Sequence, residues 1–371
     1  IGLLEESVRD AGERHGVARW IRVVARLQWY FQAIRSVEAG ESLARLGGWI
    51  PPGIGSGELN AQLRRSGVRA LAALSDDGPG DPPLLLVNPW WARPFEIFPR
   101  LLGMPARHEV DPSRLLALVA PMLFGYMFGD VGQGVVLLGA GWFLRRRLEV
   151  AWLLMTGGMA AIFFGLLFGS LFCVEELIPA LWIHPTRHPL EVLAIPLGLG
   201  VGLILAGMGF QALGARWQGH GREWLRHHGG VVLIYLGGLL AFFSPLGYDL
   251  AMFGGVAWLA GNGMDAPRAL PGRLAHLVET VLQLGVNTFS FARVGAFALA
   301  HAGLSHAVVT LAGLAGGGVS GGVVLLLGNL LILGLEGLVV SVQTTRLILF
   351  EFFVRFLGGE GRPFRPLPPP D

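Results

Sequence analysis

One apolar stretch carries a ladder of side chains able to handle charge and protons. Glu279, Gln283, Asn287, Ser290 and Arg293 follow at intervals of four, four, three and three residues, and Phe297, His301 and Ser305 continue at intervals of four. On an α-helix such intervals share one face, and a helix turned wholly to lipid would not carry such a stripe. A second stretch places Asn329, Glu336 and Gln343 seven residues apart, again on one face. Arg346 lies about a quarter-turn from that face. Arginine does not give up its proton in a protein, so Arg293 can act only as a fixed positive charge. At about 4 Å and an effective dielectric near 20, it would attract a carboxylate by about 4 kcal/mol. Such a neighbour lowers an acid's pKa by about 1 to 3 units. Glu279, Glu336 and His301 can take and release protons, histidine most readily near neutral pH. A fixed cation between titratable groups divides a path into halves that cannot short-circuit.

A plainer account stands beside this one. Glu336 could form a buried structural pair with Arg293 or Arg346, and buried pairs are weak evidence of function. Gln283, Asn287 and Ser290 could serve only to bond neighbouring helices, and His301 only to pack. For Arg293 the functional account is the stronger, since an arginine at mid-membrane depth costs at least about 2.5 to 3.5 kcal/mol.

Composition requires a membrane around these helices. Of 371 residues, 53% are hydrophobic and 15% charged, and the mean hydropathy is +0.56. That balance belongs to a polytopic membrane protein embedded in a lipid bilayer. Cys173 is the single cysteine, which excludes an internal disulfide framework and a cysteine metal cluster. No lysine occurs, and the arginines are scattered between apolar runs, so nucleic-acid binding is not expected. No nucleophile-base set or metal-ligand cluster is visible, and no cofactor or metal is expected. GDVGQG (129–134) lacks the Lys-Ser or Lys-Thr of a phosphate loop. The chain starts at Ile1 within apparent helix, so a longer protein is expected to precede it.

The pattern predicts two domains, 1–110 and 111–371. The first reads as a small, partial α+β cytoplasmic domain. Trp20, Val24, Leu27, Phe31 and Ile34 form one apolar helical stripe, a short helix falls near Glu58 to Arg65, and strands are expected over Val68 to Leu74 and Leu84 to Val87. The second contains apolar stretches near 114–144, 150–172, 190–214, 229–261, 274–312 and 323–353. GDVGQG divides the first and SPLGYD (244–249) the fourth, giving a mainly α bundle of about eight spans. With both termini cytoplasmic, the arginines near 145–147, 216–226, 268–273 and 355–365 all fall inside, and the loop with Glu175, Glu176, His184 and His188 outside. The glycines at 316–318 with Gly321 and Gly322 read as a turn. As helices, 274–312 and 323–353 would run about 58 Å and 46 Å against a hydrocarbon core of about 30 Å. Both are expected to lie strongly tilted, against a curved partner that rewards the tilt, the alternative being that their ends simply protrude into water.

The segment FSFARVGAFALAHAGLSHAV (289–308) resembles the arginine helix of the a subunit of rotary V-type and A-type ATPases, called subunit I in bacteria and archaea. The likeness extends through PPLLLVNPWWARPFEIFPRLLGMPARHEVDPSRLLALVAPMLFGYMFGDVGQG and GLEGLVVSVQTTRLILFEFFVRFLGGEGRPFRP. The resemblance implies a non-catalytic stator subunit in a prokaryotic plasma membrane, pressed against a proteolipid c ring and joined to peripheral-stalk subunits and a central-stalk membrane-sector subunit. ATP chemistry would lie in other chains. Arg293 matches the arginine that discharges each ring carboxylate, and Glu336, Arg346, His301 and Glu279 fall on matching positions. His301 and Glu336 would line an outer half-channel; Glu279, Gln283 and Asn287 would lie toward the cytoplasm, with Ser290 and Gln343 completing the path. The conducted ion is expected to be a proton, although the ring's own site decides that. The family usually has Tyr-Leu where Phe291 and Ala292 stand, and Tyr or His where Gln133 stands.

Two other functions compete. A stand-alone secondary transporter predicts inverted repeats and a midplane site at broken helices. A non-conducting assembly scaffold predicts that Arg293 is dispensable for pumping.

Overall fold

The computed structural model describes residues 53–67, 70–74, 82–105, 109–148, 150–174, 179–262, 270–316, 318–353 and 361–364, with short pieces between 23 and 50 and Leu177. It divides into two units, Ile1–Leu85 with Gly361–Asp371, and Leu86–Glu360.

In the first unit, β1 (Val37–Ala39) and β2 (Ala44–Leu46) pair antiparallel. Helix α1 (Ser56–Arg65) forms where the short helix was expected, with Glu58 in its first turn and two arginines in its last, as the helix dipole favours. Asn60 then fastens the chain beyond the helix, since its side chain both donates to the Ala72 carbonyl and accepts from the Ala72 amide. The two strands expected nearby do not form among the described residues. Residues 70–74 carry no regular structure, and Leu84 makes only an isolated bridge with Pro363. Leu71 is 85% exposed, so that apolar run buries no face that could reward a strand. Most of the expected Trp20–Ile34 helix lies outside the described residues; Val23, Val24 and Leu27 are helical and exposed.

The second unit is helical. A 3₁₀ turn (Arg93–Glu96) leads into α2 (Ile97–Leu102), α3 (Ser113–Met127), α4 (Val131–Leu144), α5 (Ala151–Phe168), α6 (Pro189–Trp217), α7 (Gly221–Leu240) and α8 (Leu246–Asn262). Then come α9 (Leu270–Ser290), α10 (Ala292–Leu314), α11 (Gly318–Leu331), a π turn (Ile332–Glu336), α12 (Gly337–Leu347) and a second π turn (Ile348–Phe353). The break at GDVGQG falls between α3 and α4, with 131–134 opening α4, and the break at SPLGYD falls between α7 and α8, with 246–249 opening α8. The protein is a mainly α membrane helical bundle. Among the described residues, Ala151–Phe168, Pro189–Trp217, Pro271–Leu314 and Gly318–Phe352 are long and apolar enough to cross a membrane.

In lipid the hydrophobic drive between helices is weak, so close packing has to hold them. Glycine supplies it here. A Cβ on Gly134 would lie 2.9 Å from the Gly158 carbonyl oxygen, drawing α4 onto α5. Between α7 and α8, a Cβ on Gly237 would overlap the backbone nitrogen of Ala251. The span Pro271–Leu314 is not one helix: Phe291 interrupts it, and its buried ring lies against Gly200 of α6. Gly316 stands in the turn before α11, but Gly321 and Gly322 lie inside that helix. There Gly321 lets α11 approach α10, since a Cβ on it would sit 2.9 Å from the Ala312 carbonyl oxygen.

Candidate functional site

The break between α3 and α4 is built by one carboxylate. Asp130 is fully buried; its Oδ1 accepts from the amides of Gln133 at 2.9 Å and Phe172 at 3.0 Å. Its Oδ2 accepts from the Ser170 hydroxyl at 2.7 Å and the Cys173 amide at 2.9 Å. With four donors the acid caps α4 and holds the loop after α5, where Phe172 and Cys173 adopt φ of 49° and 70°. That clamp sets the neighbouring side chains. Gln133 Nε2 donates to Asn329 Oδ1 on α11 at 3.0 Å, and Phe128 at the end of α3 packs its ring 5.0 Å from that of His301.

Two cross-helix side-chain pairs join α10 to the last helical stretch. His301 Nδ1 meets Glu336 Oε2 at 3.0 Å, with the two residues 4% and 7% exposed. Glu336 is the last residue of the first π turn, where an extra residue per turn re-aims side chains. Behind the pair, His301 Nε2 and Ser305 Oγ are buried without a hydrogen-bond partner among the described residues. A cavity of about 10 Å³, lined by His301, Ser170, Tyr126 and Pro185 among others, adjoins it. The second pair is Arg293 Nη2 with Glu351 Oε1, at 3.2 Å. Arg293 Nε also donates to the Ser290 carbonyl at 3.1 Å.

On the other side of Arg293 the polar ladder descends α9. Gln283 Nε2 donates to Glu279 Oε1 at 3.2 Å, and His276 Nδ1 lies 3.7 Å from Glu279 Oε2. An open cavity of about 670 Å³ is lined by Gln283, Asn287, His227, His228, His276 and Gln211, among others. The Ser290 hydroxyl bonds to the Val286 carbonyl at 3.1 Å. Along α10, Arg293 stands about 12 Å from His301 at about 1.5 Å per residue.

The predicted residues thus fall into groups. His301 meets Glu336, Glu279 meets Gln283, and Arg293 meets Ser290. Gln343 is half-buried on α12, and Arg346 is exposed rather than joined to Glu336. Spacing alone missed Glu351, though an acid inside ILFEFF was a visible signal, and it missed the clamp made by Asp130. Titratable or polar groups lie on both sides of Arg293, with a cation that cannot titrate between them.

No family model matches the chain. It is 27% identical over 333 residues to the A-type ATP synthase subunit I of Thermococcus kodakarensis, covering 76% of this chain and 47% of that protein. To the A-type ATP synthase subunit I of Methanothermobacter thermautotrophicus it is 26% identical over 346 residues, 85% of this chain and 50% of the relative. The Aeropyrum pernix protein of the same name is 28% identical over 349 residues, 75% and 50%. The chain spans about half the length of these curated relatives. Over three quarters or more of its length the chain is thus similar to archaeal proteins named A-type ATP synthase subunit I.

Proposed function

We propose that this protein is the ion-conducting stator subunit of a rotary V/A-type ATPase, forming two half-channels against a proteolipid c ring. The observation that carries the reading is Arg293, a permanent cation in the long apolar span Pro271–Leu314, with the buried His301–Glu336 pair beyond it and the cavity at Gln283 and Asn287 before it. A ring carboxylate arriving from one half-channel would lose its proton beside Arg293 and regain one from the other. His301 and Glu336 serve the outer half-channel. Glu279, Gln283 and Asn287 serve the cytoplasmic one, and both termini lie in the cytoplasm of a prokaryotic cell. The subunit catalyses no reaction itself; ATP is handled by other chains.

Exposed side chains support a ring-facing surface. Val278, Leu282, Val286 and Phe289 point outward from α9, and Leu326, Leu330 and Leu338 from the last helical stretch. Such faces need lipid or an apolar partner. A tag on the full-length subunit is expected to bring down a proteolipid ring and peripheral-stalk subunits from detergent-solubilised membranes. Recovery of a stable monomer that transports ions when reconstituted alone would contradict the proposal and favour the secondary transporter.

A further inference from the structure

The long ladder on α9 and α10 leaves one observation without a role. Arg293 is already occupied in the isolated subunit, because Glu351 lies against it at 3.2 Å. Glu351 stands within the apolar run ILFEFF, in the second π turn, where an acid is costly unless paired. Arg346, five residues earlier, is exposed, whereas Glu351 is half-buried. The pair is also open to exchange: the arginine side chain is 32% exposed and the glutamate's 14%.

We propose that Glu351 is a resident counter-ion that holds Arg293 between visits of an incoming carboxylate and gives way to each one. This rests on the stator reading above. A guanidinium that cannot lose its proton is never neutral, so an arginine bared between two visits would sit in a high-energy state. Without a resident acid, each visiting carboxylate would be hard to release and every step would have to cross that state. Glu351 converts release into an exchange of one carboxylate for another on the same cation. The guanidinium fork permits the exchange. Among the described residues Nε is bonded to Ser290 and Nη2 to Glu351, and Nη1 can receive the newcomer before Glu351 lets go. No proton or bond changes hands in the exchange itself.

The test uses the whole rotary complex with the full-length subunit, comparing Glu351→Gln, Glu351→Asp and Arg293→Gln. Glu351→Gln is expected to assemble with the ring, to lengthen the dwell between ring steps at least fivefold in single-molecule rotation at saturating ATP, and to slow pumping correspondingly. Glu351→Asp should recover part of both, which a purely structural bolt would not require. Should Glu351→Gln fail to assemble, the dwell of the aspartate variant decides: an unchanged dwell overturns the inference. Wild-type dwell and pumping in an assembled Glu351→Gln complex also overturn it. Arg293→Gln keeps the two ideas apart. If it abolishes pumping while Glu351→Gln is silent, only the counter-ion role fails; if it pumps normally, the stator reading itself fails.

Discussion

His301 and Glu336 present a choice between structure and transport that a single substitution would blur. Both are almost fully buried, and their contact is 3.0 Å. Removing either partner strands the other in a low-dielectric interior, at a cost of about 3 to 5 kcal/mol when the remaining group stays charged. His301→Leu alone is therefore expected to lower thermal stability in detergent and to impair pumping together. The double variant His301→Leu with Glu336→Leu removes the stranded charge and should recover most of the stability, since apolar replacements of buried pairs are often neutral or better. Its pumping should stay lost. A stable double variant that pumps normally would reduce the pair to packing. Spacing pointed to both residues because each is polar at the right interval on an apolar helix. It could not say that they touch, since 35 residues and a π turn separate them.

At the scale of elements, the interruptions decide where the site residues stand. Asp130 and its glycines, and the Pro245–Gly247 segment, were legible as breaks because helices seldom cross such residues. The division of the fourth stretch gives α7 and α8, whose backbones meet at glycine. Gly237→Val would drive a branched side chain into the backbone of Ala251 and is expected to cost about 1 to 3 kcal/mol. Gly238→Val, one residue along, meets nothing within 4 Å and should be near neutral. Melting temperatures and expression yields of the two variants in detergent provide the check; equal losses would mean that helix propensity rather than contact governs this hairpin. Other features were not legible. The break at Phe291 and the two π turns lie in continuous apolar sequence, where periodicity carries no mark of an extra residue. Among the described residues the expected strands over 68–74 and 84–87 do not form, because an apolar run guarantees neither a pairing partner nor burial. Gly321 was misleading in the opposite sense: glycine marks turns in water, yet within lipid it also marks where two helices draw close.

For the molecule as a whole, class and candidate site were visible together because lipid makes polar residues conspicuous. A glutamine or histidine on a soluble surface says little, whereas the same residue in a 44-residue apolar span is a question that packing must answer. What stayed hidden was pairing between distant stretches, Arg293 with Glu351 and Gln133 with Asn329, because no local pattern encodes which helix lies beside which. The central claim concerns the cation through which both halves of the path are divided. ATP-driven ion pumping in inverted membrane vesicles carrying Arg293→Gln in the full-length gene, with co-purification of the ring to verify assembly, addresses it most directly. Assembly with pumping reduced to background is the predicted result; an assembled complex that pumps as well as the unsubstituted one would contradict it.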